Sequence, residues 1–282
     1  MNILIVGYLD RNFGDDIMIR VVADQLKEHQ LFLDENKKEL LLPFRNIENI
    51  YDLEKVPGVA IDRILRVLGS DFMITNKVGI YYALQRLFTA MKNRKKVPMA
   101  VIGCNIGPFF NRFAGFLSKM EMNKYRLITV RENYSYDFLR KNAAKVSAYC
   151  FPDIVFGLPE EWIPKNTGEG CLGISAYRKS GVNNLEFCEK MAKTADFYVN
   201  KYQKKVLIFA FDIENENDLV VAYTIKGLCE NKDMVEIIAH HDNGDHIIRN
   251  LARCVKIIAV RFHSAVMALR MGIAFLSVAY SK

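Results

Sequence analysis

The 282-residue sequence lacks any run of about 18 apolar residues, the length that a membrane-spanning helix needs. Its first apolar run, at residues 3–6, follows no basic stretch, so we expect no secretion signal. The six cysteines are widely spaced and form no Cys-x-x-Cys pair, which argues against a zinc knot or a redox pair. Scattered, reduced thiols are typical of a cytoplasmic protein, which is the location we predict.

The composition is that of a globular protein, with 51% apolar and 25% charged residues, and it excludes a disordered chain. The formal net charge of +7 allows three partners: nucleic acid, an anionic membrane surface or an anionic small substrate. The densest basic run, residues 92–96, is interpreted as the solvated end of a helix. No nucleic-acid-binding motif is recognisable, so we expect no nucleic-acid partner.

Short apolar runs alternate with amphipathic stretches along the whole chain. Continuous apolar runs are typical of parallel strands that are covered on both faces. In the first half, strands are predicted at 3–6, 40–42, 72–74, 99–102, 127–130 and 146–149, with helices at 15–29, 80–91 and 134–140. In the second half, strands are predicted at 171–175, 206–210, 235–239, 257–260 and 275–278, with helices at 185–201, 218–229, 245–254 and 264–271.

Repeated strand–helix–strand units indicate an α/β protein with mostly parallel sheets. A stretch rich in Pro and Gly between residues 152 and 170 separates the two blocks. We therefore predict two Rossmann-like domains that face each other across a cleft, residues 1–155 and 171–282, joined by a linker at 156–170.

The first candidate site follows the first strand, between Gly7 and Asp16. Gly7 and Gly14 would let the backbone approach a ligand closely. The segment is not Gly-x-Gly-x-x-Gly, so a dinucleotide site is not supported. Asp15 and Asp16 open the next helix; we expect one to cap it and the other to point into the cleft.

The second candidate site lies between a strand and a helix, at Arg261, Phe262, His263 and Ser264. Ser264 is predicted to cap the helix, whose N-terminus favours anions. Arg261 adds a planar fork for a carboxylate or phosphate, and His263 adds a group that can donate a proton near neutral pH. The pattern indicates an anion pocket that contains an acid, although a surface Arg and a structural His would fit it equally well.

These two sites, in this order, resemble the polysaccharide pyruvyl transferase family. Further segments that match family motifs run over most of the chain: residues 102–108, 128–132 with Ser135, Pro152 with Asp153, and 272–282. The resemblance implies two Rossmann-like domains of the GT-B type, the first for the acceptor and the second for the donor. It also implies further helices after residue 282, so we expect a shortened second domain.

The activity that the resemblance implies is transfer of the enolpyruvyl group of phosphoenolpyruvate to a sugar, with release of phosphate. His263 and Asp15 are the expected catalytic residues, His263 as the acid and Asp15 as a base or orienting group in the opposite domain. Arg261 and Arg131 are expected to bind the anions of the donor. Asn12, Gly14 and Ser264, which accompany these residues in the motifs, complete the expected substrate-binding set.

Expected partners are phosphoenolpyruvate and a glycan or lipid-linked saccharide, with peripheral association at the inner face of the membrane. No cofactor is expected. His240, His241, Asp242 and His246 match no metal-ligand spacing, so no metal is expected either. The alternatives are a GT-B glycosyltransferase that uses a nucleotide sugar and a non-catalytic relative.

Overall fold

The computed structural model describes residues 1–70, 72–94, 97–178 and 184–279. The chain forms two compact α/β units. Unit 1 comprises Met1–Tyr8 and Met18–Ile154, and unit 2 comprises Leu9–Ile17 and Val155–Lys282. That residues 1–155 and 171–282 fold as independent domains around a linker stays a prediction.

Unit 1 contains a seven-stranded parallel sheet in the order β3-β2-β1-β4-β5-β6-β7. Its strands are β1 (Asn2–Gly7), β2 (Gln30–Leu33), β3 (Ile50–Asp52), β4 (Arg63–Val67), β5 (Met99–Cys104), β6 (Leu127–Val130) and β7 (Ser147–Cys150). The strand order reverses between β1 and β4. In parallel α/β sheets this switch point, at the carboxyl ends of the strands, is where ligands bind.

In the described part of the chain four helices accompany this sheet: α1 (Phe13–Gln25), which begins within the unit 2 segment, α2 (Lys77–Arg94), α3 (Arg112–Met122) and α4 (Asn133–Asn142). The main core of unit 1 lies between the central strands and their helices, around Val101, Ile128 and Leu139. A smaller core joins α2 to α3 through Leu87 and Leu117. Both cores bury the apolar stripes that the helical periodicity requires.

Unit 2 contains a five-stranded parallel sheet in the order β10-β9-β8-β11-β12. Its strands are β8 (Cys171–Ser175), β9 (Val206–Ala210), β10 (Val235–Ala239), β11 (Cys254–Ala259) and β12 (Ala274–Ser277), and its helices are α5 (Leu185–Tyr202), α6 (Asp218–Leu228), α7 (Asp245–Leu251) and α8 (Phe262–Arg270). Every residue of β8 and β9 is buried, because helices cover both faces of these strands. The switch point of this sheet lies between β8 and β11.

The α/β prediction is confirmed, and three strands of unit 2 occur with the predicted bounds. Two predicted strands of unit 1 are wrong. Residues 40–42 lie in a 3₁₀ helix, Lys38–Phe44, where Pro43 lacks the N–H that a strand would use. Residues 72–74 form a loop in which Phe72 and Ile74 fill the core and Met73 is exposed, and Ile74 forms only an isolated bridge with Phe109 instead of joining the sheet.

Strands β2, β3 and β4 and helix α3 are additions to the predicted set. The basic run at 92–96 falls partly outside the described residues, because α2 is described to Arg94 and residues 95 and 96 are not described. Among the residues that the structure describes, no helix has both the length and the apolar character that crossing a bilayer requires.

Candidate functional site

The switch point of unit 2 carries the Arg-x-His segment that the sequence singled out. Arg261 follows β11, and its backbone N–H donates to Oγ of Ser175 at the end of β8, at 3.2 Å. Two neighbouring strands therefore fix the backbone at the point where α8 begins. Helix α8 starts at Phe262, directly after Arg261, so its free N–H groups lie at this edge of the sheet.

The segment Leu9–Ile17 belongs to unit 2, although β1 belongs to unit 1. It is held on the end of β9: Asn12 forms an antiparallel bridge with Asp212, and the Phe13 N–H donates to the Phe211 carbonyl at 2.9 Å. The Phe13 ring is fully buried, with its centroid 5.3 Å from that of Phe211. The backbone of the first motif is thus fixed on the sheet of unit 2.

A buried acid–imidazole pair further fixes this segment. Oδ2 of Asp16 lies 2.7 Å from Nε2 of His240, and both side chains are 1% exposed. The Phe13 ring meets the His240 ring edge-on, with 5.6 Å between centroids. His240 thereby serves as a partner for Asp16, and within the described part of the chain no cluster of three or more His, Cys, Asp or Glu could hold a metal ion.

The two motifs meet where Gly14 contacts His263. A methyl group on Gly14 would lie 1.9 Å from Nδ1 of the His263 ring and 2.3 Å from its Cγ. No side chain fits between the first turn of α1 and this ring, so the glycine is required by the close approach. His263 is the second residue of α8, and its ring is positioned by a residue from the other end of the sequence.

Arg261 lies in an acidic environment. Its Nε and Nη2 donate to the two carboxylate oxygens of Asp218, at 2.9 and 2.6 Å, in a bidentate pair. Its Nη1 contacts Glu216, and Nη2 lies 3.9 Å from Asp212. The guanidinium also stacks 4.8 Å from the centroid of the Tyr177 ring. An anion that reaches Arg261 therefore has to replace a carboxylate, and Glu216, the most exposed of the three, is the one at the surface.

Burial raises the pKa of carboxyl groups in this cluster. It raises the pKa of Asp218 despite the hydrogen bonds from Arg261, and it raises the pKa of Glu216. Asp10 bonds to the Asn215 amide, and burial together with the charges of Asp212 and Asp16 raises the pKa of Asp10 to about 6. Asp10 is therefore a carboxyl group that changes charge close to neutral pH.

The capping roles differ from those expected. Asn12 caps α1, since its Oδ1 accepts from the Gly14 N–H at 3.0 Å, whereas Asp15 and Asp16 lie inside the first turn. The prediction that Ser264 caps α8 is wrong, because α8 begins two residues earlier and the Ser264 hydroxyl donates to the Arg261 carbonyl. Asp15 is partly exposed and lies in unit 2 with His263, whereas the sequence interpretation put it in the opposite domain.

The structure thus brings Asn12, Gly14, Asp15, Arg261, His263 and Ser264 into unit 2. Arg131 lies in unit 1, at the carboxyl end of β6. Its guanidinium donates to the Gly69 carbonyl, to Oδ1 of Asn105 and to Oδ2 of Asp153, at 3.0, 3.0 and 2.6 Å. Its side chain is 9% exposed, so it ties together the ends of four strands, and donor binding by Arg131 stays a prediction.

Unit 1 has a cavity of about 480 Å³ at its own switch point. Gly7, Tyr8 and Leu68 contribute the ends of β1 and β4, and α2 contributes one wall. Two aromatic rings and several hydrogen-bonding side chains line it: Tyr8, Tyr82, Arg66, Arg86, Gln85 and Thr89. Such a lining suits a sugar, whose apolar faces contact aromatic rings while its hydroxyls bond to polar groups.

Sequence interpretation missed several residues of these sites. The pairing of Asp16 with His240 depends on which strand ends meet, and no local pattern reports that. The acidic stretch from Asp212 to Asp218 could have been found, because it directly follows a buried strand on the ligand-binding edge. Asp10 lies within the first motif but gave no signal of its own.

Comparisons with known proteins agree with this architecture. A family model described as polysaccharide pyruvyl transferase matches residues 3–282. No curated protein matches the sequence. A UDP-GlcNAc 2-epimerase from Methanocaldococcus jannaschii superposes with a TM-score of 0.60 at 10% identity, over 98% of this chain and 83% of the epimerase. A putative UDP-N-acetylglucosamine 2-epimerase from Listeria monocytogenes gives 0.63 at 10% identity, over 100% of this chain and 79% of that protein. At this identity the likeness shows the fold alone, which is of the GT-B type with two parallel sheets.

Proposed function

The chain belongs to the polysaccharide pyruvyl transferase family, and from that premise we propose that it transfers the enolpyruvyl group of phosphoenolpyruvate to a sugar. The acceptor is a cell-surface polysaccharide or its lipid-linked precursor, the product is a cyclic pyruvate ketal, and phosphate is released. The observation that carries the proposal is the contact between Gly14 and His263, which joins the two motifs of the family into one site.

His263 is the proposed acid. Its imidazolium gives a proton to the methylene carbon of phosphoenolpyruvate, which leaves an oxocarbenium-like centre at the neighbouring carbon. A sugar hydroxyl attacks that centre, and a second hydroxyl then displaces phosphate as the carbon–oxygen bond to phosphate breaks. Of the two hydroxyl protons, one replaces the proton of His263 and the other leaves with phosphate. The donor itself carries the activated group, so the reaction requires no cofactor.

The donor's anions are assigned to the start of α8 and to Arg261. The N–H groups at the N-terminus of α8 and its dipole favour a negative charge. We propose that one donor anion replaces Glu216 on Nη1 of Arg261, while Asp218 keeps the guanidinium oriented through its two hydrogen bonds. Asp15, partly exposed on the first turn of α1, is the proposed group that orients or deprotonates the acceptor.

The acceptor sugar is assigned to the unit 1 cavity that Tyr8 and Tyr82 line. Arg66, which also lines it, favours an acceptor that carries a negative charge, such as a uronic acid or a sugar phosphate, whereas Arg86 is paired with the buried Glu121. A donor produced in the cytoplasm and an acceptor on a lipid carrier would put the reaction at the inner face of the membrane.

Calorimetric titration with phosphoenolpyruvate tests the donor assignment. We expect the wild type to bind, and Arg261→Lys, which keeps the charge but loses the planar fork, to bind at least about tenfold more weakly. The matched control is Arg253→Lys, because Arg253 precedes the same strand at its other end and also pairs with two carboxylates. A wild type that binds UDP-GlcNAc but not phosphoenolpyruvate would contradict the proposal and favour a nucleotide-sugar enzyme.

A further inference from the structure

The positive charge of the chain is concentrated in one part of unit 1. Between residues 72 and 126 the sequence has ten Lys and Arg residues but only one acidic residue, Glu121. Glu121 is fully buried and forms a bidentate pair with Arg86, so it contributes no negative charge to the surface. The rest of the chain has slightly more acidic than basic residues, and this segment therefore accounts for the whole net charge of +7.

The same segment exposes large aromatic side chains. Six aromatic residues on α2, on α3 and directly before α3 are 47–67% exposed: Tyr81, Tyr82, Phe88, Phe110, Phe113 and Phe116. Isolated exposed apolar residues are common on protein surfaces. Five such aromatic rings on two packed helices, with a sixth just before α3, are far above that background and indicate a surface that binds a partner.

Helix packing explains which sides of α2 and α3 remain exposed. The two helices bury Ala83 and Leu87 of α2 against Ala114 and Leu117 of α3. The exposed positions of both helices, outside this contact, carry aromatic rings together with basic residues, which include Lys77, Lys92, Arg112 and Lys119. We call these exposed positions, with their aromatic and basic residues, the α2–α3 surface.

We propose that the α2–α3 surface docks on an anionic lipid membrane. Aromatic rings partition into the boundary between headgroups and acyl chains, and Lys and Arg are attracted to anionic headgroups. A second copy of the chain fits this surface poorly, because contact between two such surfaces would bring like charges together. Five of the six exposed rings lie on helices, and they are accompanied by exposed apolar residues such as Met91 and Val78, which suit a lipid interface better than a nucleic acid.

The docking proposal is independent of the proposed reaction, since it stands on charge and exposure alone. The surface is also continuous with the cavity of unit 1, because Tyr82 belongs to the α2–α3 surface and lines that cavity. An acceptor on a lipid carrier would then reach the cavity from the membrane beside it.

Co-sedimentation with vesicles tests the proposal, with no substrate present. We expect the wild-type protein to sediment with vesicles of phosphatidylglycerol and phosphatidylcholine but not with vesicles of phosphatidylcholine alone. High salt should release it, because the Debye length falls from about 8 Å at physiological ionic strength to about 3 Å at 1 M salt.

Two double variants separate the aromatic and the basic contributions. Phe88→Ser with Phe116→Ser should lower the partition coefficient about tenfold or more, since two rings leave the interface. Lys77→Glu with Lys119→Glu should lower it by at least about 25-fold, at about fivefold for each basic residue near an anionic surface. The matched controls are Phe197→Ser with Tyr223→Ser, and Lys193→Glu with Lys232→Glu, all exposed residues of unit 2.

The controls should bind anionic vesicles like the wild type, and thermal unfolding should show that all variants are folded. The proposal is overturned if the wild type does not bind anionic vesicles, or if the controls lose binding as much as the surface variants. It is equally overturned if the aromatic variant abolishes a dimer seen by light scattering while vesicle binding is unchanged, or if oligonucleotides but not vesicles bind. Loss of vesicle binding with intact phosphoenolpyruvate binding would separate this surface from the donor site.

Discussion

Substitution of Gly14 by Ala is expected to inactivate the protein without unfolding it. The added methyl group would lie 1.9 Å from Nδ1 of His263, whereas ordinary contact begins near 3.4 Å, so the ring has to retreat by about 1.5 Å. A misplacement of about 1 Å at a reacting group can lower the rate about 100-fold. We therefore expect kcat/KM of Gly14→Ala to fall by about 100-fold or more.

The fold should tolerate the same change. Alanine is favoured over glycine in a helix by about 1 kcal/mol, and overpacking costs about 1–3 kcal/mol, so the free energy of unfolding should fall by at most about 2 kcal/mol. The matched control is Gly227→Ala on α6, since nothing lies within 4 Å of the position where its methyl group would be. That variant should keep full activity and gain about 0.5–1 kcal/mol of stability.

Phosphate release from phosphoenolpyruvate, measured with a glycoside that the wild type accepts, gives the rates. Urea unfolding gives the stabilities. A double-mutant cycle with His263→Ala isolates the contact, because Gly14→Ala should have little further effect once the ring is absent. The reasoning is refuted if folded Gly14→Ala keeps its rate within about threefold of the wild type, or if the effects of Gly14→Ala and His263→Ala are additive.

Three further predictions concern single charged groups. Glu216→Gln should tighten phosphoenolpyruvate binding in calorimetry by about fivefold or more, since one carboxylate no longer competes for Arg261. Asp10→Asn should raise the free energy of unfolding by about 1 kcal/mol at pH 8 and by less at pH 5. The raised pKa of Asp10, about 6 against 3.8, means that the native state holds this proton more tightly and loses that stability as pH rises through about 6. Arg131→Ala should lower the free energy of unfolding, measured in urea, by about 3–5 kcal/mol, because it removes the partner of the buried Asp153 carboxylate. The exposed control Arg140→Ala should change this free energy by under about 0.5 kcal/mol. Equal losses for the two variants would contradict this reasoning.

Strands β8 and β9 of unit 2 could be predicted because each is a short, fully buried run of mostly apolar residues that lies between helical stretches. Strand β4 was missed because Arg63 and Arg66 interrupt its apolar residues, although it occupies the centre of the unit 1 sheet. The apolar run at 72–74 was wrongly predicted as a strand, because the burial of a segment does not show whether that segment joins the sheet. Apolar patterns report burial reliably and hydrogen-bond pairing only indirectly.

In the candidate site, too, some residues could be predicted from the sequence and others could not. Arg261 and His263 could be found, because residues that follow a parallel strand lie on the ligand-binding edge whatever their partners are. The contacts of Gly14 with His263 and of Asp16 with His240 join residues that are far apart in sequence. Such pairs depend on the order of strands in the sheet, and a single sequence does not specify that order.

The surroundings of Arg261 change what its presence implies. An isolated Arg beside a helix N-terminus indicates an anion site, yet this one already meets carboxylates on three sides. Asp218 is fully buried and holds two nitrogen atoms, so exchanging it for a ligand would leave a buried charge without its partner, at a cost of about 3–5 kcal/mol. Glu216 is partly exposed and can move into water at little cost. The cluster therefore acts as an oriented guanidinium with one exchangeable position, and the donor's charge would be recognised by its ability to displace a single surface carboxylate.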